Sequence, residues 1–251
     1  MQNPFIWHDL MTSDVAAAKK FYGDVVGWNY DVQMPGYDVT LVNGVGMGGI
    51  MPTPEHLKGM PPFWSGYIYV ADVDATVAKV KKLGGAIKRD AWDVPHVARM
   101  AVVADPTGAM FNIMTPVLRE GGNASLPSGT SMGAVSWNEA HVGDLETAWT
   151  FYEDMFGWTK GDVYPMGPMG DYVLFQIDGQ DIGGMMKKQE HMPMPVWLYY
   201  FNVDGIDAAA ARIPKAGGKI AMGPMEVPGG QWTLSAFDPQ GGNFQLLSAT
   251  K

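Results

Sequence analysis

The fold is decided by a spaced motif near the N-terminus, which runs Trp7-His8-Asp9-Leu10, then Asp14, then Phe21-Tyr22 and Gly27-Trp28. The same spacing returns later in the chain as Trp137-Asn138-Glu139-Ala140, then Asp144, Phe151-Tyr152 and Gly157-Trp158. Every matched pair is offset by 130 residues (137 minus 7, 158 minus 28). An internal repeat with several spaced motifs predicts that the chain contains two copies of one structural unit.

The repeat continues downstream of these motifs and then stops at a short connecting segment. Gly48-Gly49-Ile50-Met51 matches Gly183-Gly184-Met185-Met186, and Asp105-Pro106-Thr107-Gly108 matches Asp238-Pro239-Gln240-Gly241. Between the copies, residues 119–131 are rich in Gly, Ser, Pro and Asn, a composition typical of linkers. We therefore predict one domain at 1–118 and a second at 132–251, joined by a linker at 119–131.

Each half divides again into two similar modules, each with a strand, a helix and three further strands. In the first module Pro4 to Met11 is a strand candidate, Asp14 is a helix N-cap and Gly27 ends the helix. In the second module Asp74 is the expected cap, and in the fourth Pro214 predicts a helix that kinks or ends early. The predicted fold class is α+β, with four β-α-β-β-β modules.

Composition narrows the range of partners. The chain has 251 residues, of which 17 are Lys or Arg and 26 are Asp or Glu, so its formal charge is -9. This charge repels nucleic acid and anionic membranes.

The absence of Cys excludes disulfides and thiolate chemistry, and residues 1–14 lack the pattern of a signal peptide. With no segment able to span a bilayer, we expect a cytoplasmic protein.

These motifs together resemble the vicinal oxygen chelate superfamily, which includes glyoxalase I, extradiol dioxygenases and bleomycin-binding proteins. The resemblance rests on the opening strand, the helix that ends in Phe-Tyr and Gly-Trp, and the later Asp-Pro-x-Gly, and it covers nearly all of both halves. It implies two tandem domains, in which paired modules form a curved sheet around a cavity. Metal-dependent members place His, Gln or Glu on strands that face this cavity.

The resemblance also identifies the positions where metal ligands would be expected, and this sequence departs from the pattern there. Carried over by spacing, these positions are Trp7, Ser65, the strand Gly48 to Met51 and Asn112 in the first half, and Trp137, Leu198, the strand Gly183 to Met186 and Gln245 in the second. Divalent cations bind carboxylate or imidazole donors in preference to such side chains. We therefore predict no metal site and no cofactor, although ligands placed at other positions remain an alternative.

Strand alternation predicts which other side chains line the two cavities, because residues i and i+2 share a face. Trp7 then shares a face with Asp9, and Trp137 shares one with Glu139 and His141. The complete set of predicted ligand-binding residues is Trp7, Tyr67, Tyr69, Arg99, Asn112, Trp137, His141, Tyr200, Trp232 and Gln245.

Three charged residues are open to more than one interpretation. Asp9 and Glu139 are candidate catalytic residues, because a carboxyl group among aromatic rings can act as a general base or acid. Alternatively, each acid accepts hydrogen bonds from the backbone or an Arg and stabilises the sheet. Arg99, whose counterpart is Trp232, could fix an anionic ligand, pair with Asp9 or lie exposed.

The sequence therefore predicts a metal-independent protein that binds a small apolar or aromatic molecule, either as an enzyme or as a binding protein. If it is an enzyme, the resemblance implies a lyase, isomerase or oxygenase. The alternative is a metal-dependent lyase or dioxygenase of the same superfamily. A further possibility is that one half is purely structural. For the assembly we expect a monomer with an internal pseudo-dimer, or a homodimer.

Overall fold

A computed structural model describes residues 3–117 and 129–251 of the chain. Four modules follow one another, and each contains one strand, one helix and three strands, as predicted. The elements of the first module are β1 (Phe5–Thr12), α1 (Val15–Val26), β2 (Asn29–Met34), β3 (Tyr37–Val42) and β4 (Val45–Pro52). Those of the second are β5 (Phe63–Tyr69), α2 (Val73–Lys82), β6 (Ala86–Val94), β7 (Ala98–Ala104) and β8 (Met110–Pro116).

The second half repeats this order of elements. The third module contains β9 (Val135–Val142), α3 (Leu145–Phe156), β10 (Thr159–Pro165), β11 (Asp171–Ile177) and β12 (Gln180–Lys187). The fourth contains β13 (Val196–Asn202), α4 (Ile206–Lys215), β14 (Lys219–Val227), β15 (Gln231–Phe237) and β16 (Asn243–Ser248). The α+β fold class is therefore confirmed. The predicted linker lies outside the described residues except for 129–131, and the domain boundaries stay a prediction.

The strands form two eight-stranded sheets, one for each half. The strand order is β2-β3-β4-β1-β5-β8-β7-β6 in the first and β10-β11-β12-β9-β13-β16-β15-β14 in the second. Within each module the opening strand runs parallel to the last strand, and the other pairs are antiparallel. In β1 and β4 this register places Asp9 beside Gly49, and in β9 and β12 it places Glu139 beside Gly184.

The long helices begin and end at the residues that the motifs predict. The Asp14 carboxylate accepts a hydrogen bond of 2.9 Å from the Ala17 amide, and Asp144 makes the same bond to Thr147. These side chains satisfy amides that have no partner within the first turn. At the other end, Gly27 and Gly157 adopt φ values of 88° and 69°, a left-handed conformation that favours glycine.

The chain forms two compact units that differ from the sequence halves. The first comprises Met1–Ile6, Gly66–Ala124 and Asn138–Leu198, as far as these ranges are described. The second comprises Trp7–Ser65, Ser125–Trp137 and Tyr199–Lys251, with the same restriction. We refer to them as the 2/3 unit and the 1/4 unit, after the modules that supply most of each. Each unit therefore combines modules from both halves.

A buried hydrogen-bond network joins the recurring motifs inside the 1/4 unit. The hydroxyl of Tyr22 on α1 donates to Asp238 Oδ2 at 3.1 Å and accepts from Trp64 Nε1 at 3.2 Å. Asp238 Oδ1 accepts the amides of Gln240 and Gly242, so one carboxylate closes its own turn and holds the tyrosine. Tyr22 also stacks on Trp28, with ring centroids 5.1 Å apart.

The 2/3 unit contains the same network, built from the matching residues. The Tyr152 hydroxyl donates to Asp105 Oδ2 at 3.1 Å and accepts from Trp197 Nε1 at 3.0 Å. Burial raises the pKa of Asp105 above its ordinary value, and hydrogen bonds from Thr107, Ala109 and Tyr152 partly oppose this effect. The Phe-Tyr and Asp-Pro-x-Gly motifs thus meet in space, because each module pair places one against the other.

The predicted cap of α2 was wrong, and so was the early end predicted for α4, whereas the kink predicted at Pro214 as the alternative stays a prediction. The cap of α2 is Asp72, which accepts from the Ala75 amide at 3.0 Å, whereas Asp74 lies inside the first turn. Asp74 corresponds to Asp207 (207 minus 133), which also lies in the first turn of its helix, where a negative charge interacts favourably with the helix dipole. Helix α4 does not end early, because Pro214 lies in its last turn and α4 has the same 10 residues as α2.

Among the described residues, no helix is long and apolar enough to cross a lipid bilayer.

Candidate functional site

In the first half, the acid of the opening strand lies in a cluster of two aromatic side chains. The Tyr37 hydroxyl donates to Asp9 Oδ1 at 2.7 Å, and Trp7 Nε1 lies 2.9 Å from the same oxygen and 2.7 Å from the Tyr37 hydroxyl. Asp9 is buried, with 4% of its surface exposed, while Trp7 and Tyr37 are half-buried. The predicted alternation is therefore confirmed for Trp7 and Asp9, which share a face.

Tyr37 reaches Asp9 because the strand between them carries a glycine. Asp9 on β1 is level with Gly49 on β4, and a Cβ atom at Gly49 would overlap the Tyr37 ring. Burial raises the pKa of the Tyr37 hydroxyl well above its ordinary value, and the Asp9 carboxylate raises it further. The tyrosine is thus a neutral donor that holds the carboxylate.

In the second half, the corresponding acid makes a different set of contacts. Glu139 Oε2 accepts from the Tyr172 hydroxyl at 3.0 Å, and Glu139 Oε1 lies 2.6 Å from His141 Nε2. A Cβ atom at Gly184 would overlap the Tyr172 ring, just as one at Gly49 would overlap the Tyr37 ring. The side chains of Glu139 and His141 are only 12% and 11% exposed, so this pair is shielded from water. Their shared face confirms the second prediction of alternation.

One polar atom of this second cluster has no partner. His141 Nδ1 is buried and makes no hydrogen bond to any of the residues at 3–117 and 129–251. A buried polar atom without a partner is uncommon and often marks a place where a ligand or water binds. The residue at the matching position of the first half is Met11 (141 minus 130), which has no such atom.

The other predicted residues of the 2/3 unit lie on adjacent strands. Tyr67 and Asn112 are partners in the β5 and β8 register, and both are buried. The Asn112 side chain donates to the Gly66 carbonyl oxygen at 3.2 Å. Tyr69 is half-buried two residues further along the same strand. Their binding role stays a prediction.

In the 1/4 unit the predicted residues are also neighbours in the sheet. Tyr200 pairs with Gln245 in the β13 and β16 register, and the Gln245 side chain donates to Asn243 Oδ1 at 2.7 Å. Trp232 on β15 is half-buried, with the Lys251 ammonium 4.9 Å from its ring centroid. Trp137 on β9 is half-buried as well.

The alternative that Arg99 pairs with Asp9 was wrong. Its guanidinium donates two hydrogen bonds to Asp74, each of 2.8 Å, and a third of 3.0 Å to Asp93. The Arg99 bond lowers the pKa of Asp74, and both carboxylates are exposed at the surface. Asp9 instead takes its donors from Trp7 and Tyr37.

The chemistry of the available donors does not fit a divalent metal ion. In the part of the chain that the structure describes, no three side chains of His, Cys, Asp or Glu lie close enough to share one ion. Both oxygens of Glu139 are within hydrogen-bonding distance of protein partners, and Asp9 Oδ1 accepts from Trp7 and Tyr37. A metal site needs several oxygen or imidazole donors aimed at one point.

Sequence reasoning missed the two tyrosines that hold the acids. Tyr37 and Tyr172 are offset by 135 residues (172 minus 37), which is also the offset between Gly48 and Gly183. Because the two offsets are equal, each tyrosine is separated from the Gly-Gly pair of its own half by the same number of residues. This regularity was a detectable signal in the sequence. The contact itself crosses three strands, and alternation along one strand does not predict it.

The sequence of this chain matches known proteins along nearly its whole length. The family described as Glyoxalase/Bleomycin resistance protein/Dioxygenase superfamily matches at residues 5–113 and again at 135–246. A Mycobacterium tuberculosis protein named "Putative glyoxylase CFP32" is 36% identical, over 96% of this chain and 93% of the relative. The anthracycline biosynthesis protein DauV of Streptomyces is 30% identical, over 96% of this chain and 91% of the relative.

Solved structures show the same fold at low sequence identity. The Mn(II)-bound glyoxalase from Novosphingobium aromaticivorans aligns with a TM-score of 0.69 at 16% identity, over 98% of this chain and 82% of that one. The 2,2',3-trihydroxybiphenyl 1,2-dioxygenase from Sphingomonas wittichii aligns with a TM-score of 0.68 at 13% identity, over 98% and 90%. At these identities the similarity establishes the fold alone.

Proposed function

The chain belongs to the Glyoxalase/Bleomycin resistance protein/Dioxygenase superfamily, and from that premise we propose that it is a metal-independent member that binds a small aromatic molecule. The observation that carries the proposal is the tyrosine bond to the acid of each opening strand. These bonds measure 2.7 Å at Asp9 and 3.0 Å at Glu139. A carboxylate held by a neutral hydroxyl donor keeps further lone pairs, which can accept a hydrogen bond from a polar group of an organic ligand.

The aromatic character of the ligand is supported by the side chains around the acids. Trp7 and Tyr37 in the first half, and Tyr172 in the second, present rings beside a fixed carboxylate. Aromatic rings attract other rings in stacked or edge-on arrangements, and the carboxylate orients a ligand hydroxyl. Two relatives are named for the biosynthesis of anthracyclines, which contain fused aromatic rings, and this supports the same ligand class.

Metal independence is supported by the side chains at the positions that the superfamily resemblance identifies. Trp7 and Trp137 occupy the opening strands, and their indole groups are hydrogen-bond donors only. The remaining positions offer amides, a hydroxyl and apolar groups in place of carboxylates. Such a set favours stacking and neutral hydrogen bonds over the coordination of a cation.

The proposal is tested by metal analysis and by thermal unfolding of the full-length protein. We expect less than about 0.1 equivalent of divalent metal per chain, since structural or catalytic sites bind at stoichiometric levels. We also expect 2-hydroxyanthraquinone to raise the melting temperature equally with and without a chelator. Stoichiometric bound metal would favour the metal-dependent alternative. Stabilisation by the probe only when divalent metal is present would favour it as well. No stabilisation by any hydroxylated aromatic compound would contradict the ligand class.

A further inference from the structure

The two acid clusters differ in one chemically important respect. In the first half Asp9 lies between an indole and a phenol, which are both weak acids without a basic atom. In the second half Glu139 lies between a phenol and the His141 imidazole, which has a basic nitrogen. The second cluster therefore contains an imidazole, whose nitrogen lone pair can accept a proton.

The hydrogen bonds around Glu139 determine which nitrogen that is. The Tyr172 hydroxyl gives its single hydrogen to Glu139 Oε2, and an ionised carboxylate can only accept. The contact of 2.6 Å between Glu139 Oε1 and His141 Nε2 therefore places the ring proton on Nε2. His141 Nδ1 then carries a lone pair, and this is the buried atom without a hydrogen-bond partner among the described residues.

We propose that His141 is the proton acceptor of the second half, and that its Nδ1 receives the proton of a phenolic hydroxyl group on the bound aromatic ligand. This inference rests on the proposed function. In the step, the ligand O–H bond breaks and an N–H bond forms at Nδ1. The electron pair stays on the ligand oxygen, which becomes a phenolate, and the imidazole becomes an imidazolium. No electron is gained or lost.

Glu139 has a positioning role in this step. It holds the Nε2 proton, so that Nδ1 keeps the lone pair, and its negative charge stabilises the imidazolium at a contact of 2.6 Å. Tyr172 fixes the other carboxylate oxygen and prevents rotation of the group. The first half lacks this arrangement, since Met11 replaces His141.

The inference is tested with 2-hydroxyanthraquinone, whose visible absorption band moves to longer wavelength when its phenol ionises. The buffer is set about one pH unit below the pKa of the free probe, so that free probe is mostly neutral. We expect bound probe to show the phenolate band with wild-type protein. The band should be lost in H141Q, while the dissociation constant rises only about fivefold, the effect of one hydrogen bond.

The matched control is H191Q, the same substitution at an exposed histidine of the same unit, and it should keep the band. A second measurement uses histidine 15N spectra of the wild-type protein, in which the chain's 5 histidines are few enough to assign. Free protein should show the Nε2–H tautomer of His141, and added probe should protonate Nδ1. This readout remains if H141Q fails to fold.

Each outcome separates the inference from the proposed function. Wild-type protein that binds the probe without a phenolate band, or H141Q that keeps the band, would overturn the role of His141 and leave ligand binding intact. An Nδ1 signal that does not respond to bound probe would do the same and indicate a buried water. If the wild-type protein binds no probe, the proposed function fails and the inference fails with it.

Discussion

The two halves of the chain are alike in their cores and different at their acid clusters. Tyr22 with Asp238 and Tyr152 with Asp105 make the same buried hydrogen bond, 3.1 Å long in both cases. The acids of the opening strands instead have different partners, which are Trp7 for Asp9 and His141 for Glu139. The shared network stabilises the fold, and the acid clusters are where the two halves differ in side-chain chemistry.

The largest effects should come from the shared network, and they should be similar in size in the two halves. D105A leaves the turn amides of Thr107, Gly108 and Ala109 without their acceptor, and D238A does the same at Gln240 and Gly242. We expect each change to lower the free energy of unfolding by about 3 kcal/mol or more, measured by urea denaturation. A difference above about 2 kcal/mol between them would show that the networks are not equivalent.

The pH dependence of D105N tests the same network electrostatically. Burial raises the pKa of Asp105 in the folded protein, so its carboxyl group takes up a proton at a higher pH there than in the unfolded chain. Wild-type stability relative to D105N should therefore rise as the pH falls from neutral towards about 4, and this gain is lost as the pH rises through the folded pKa. Urea denaturation over this range measures it, and a difference independent of pH would contradict the burial argument.

Smaller effects should follow when the tyrosines of the two clusters are replaced. Y37F removes a donor to Asp9 and an acceptor for Trp7, and Y172F removes the donor to Glu139. We expect each change to lower the free energy of unfolding by about 1–2 kcal/mol, measured by thermal or urea unfolding. A loss below about 0.5 kcal/mol in either variant would mean that the tyrosine bond to its acid contributes little to stability.

Grafting an imidazole into the first half should make the clusters more alike. In M11H the new ring lies two residues from Asp9 on the same strand, as His141 does from Glu139. We expect a stability change within about 1 kcal/mol and a second histidine with a downfield Nε2 proton in NMR spectra. If the new histidine titrates as a freely exposed one, the two clusters differ in geometry as well as in sequence.

The smallest effect is expected at Arg99, where the halves differ at the surface. R99A removes exposed ion pairs with Asp74 and Asp93, which are weak and screened by salt. We expect no measurable change in melting temperature at physiological salt, and unchanged binding of 2-hydroxyanthraquinone. Weaker probe binding in R99A would support the interpretation that Arg99 binds an anionic ligand. W232A is the matched variant of the other half.

The fold could be predicted from sequence because its motifs recur with constant offsets and obey local rules. Asp14 and Gly27 end their helix as capping preferences require. The cap of α2 was misassigned because Asp72 and Asp74 are both plausible, and the matching cap in the fourth module is Gly205, which has no side chain. Helix α4 tolerates Pro214 because the residue lies in the last turn, where a missing bond affects only the helix end.

The candidate site was predictable only along single strands. Alternation correctly paired Trp7 with Asp9 and Glu139 with His141, because neighbours at i and i+2 share a face. The tyrosines were missed because their contact depends on the packing of three strands and on a glycine in the middle one. The ion pairs of Arg99 also join residues distant in sequence, and no local pattern identifies them.

The division of the chain into the 1/4 and 2/3 units has an evolutionary consequence. Since each unit takes modules from both halves, a gene that encoded only one half would lack the aspartate that accepts from Tyr22 or Tyr152. Two identical polypeptides could supply those partners, but any substitution would then appear at both sites. Fusion into a single reading frame removes this coupling, so that one copy can specialise while the other retains its ancestral chemistry.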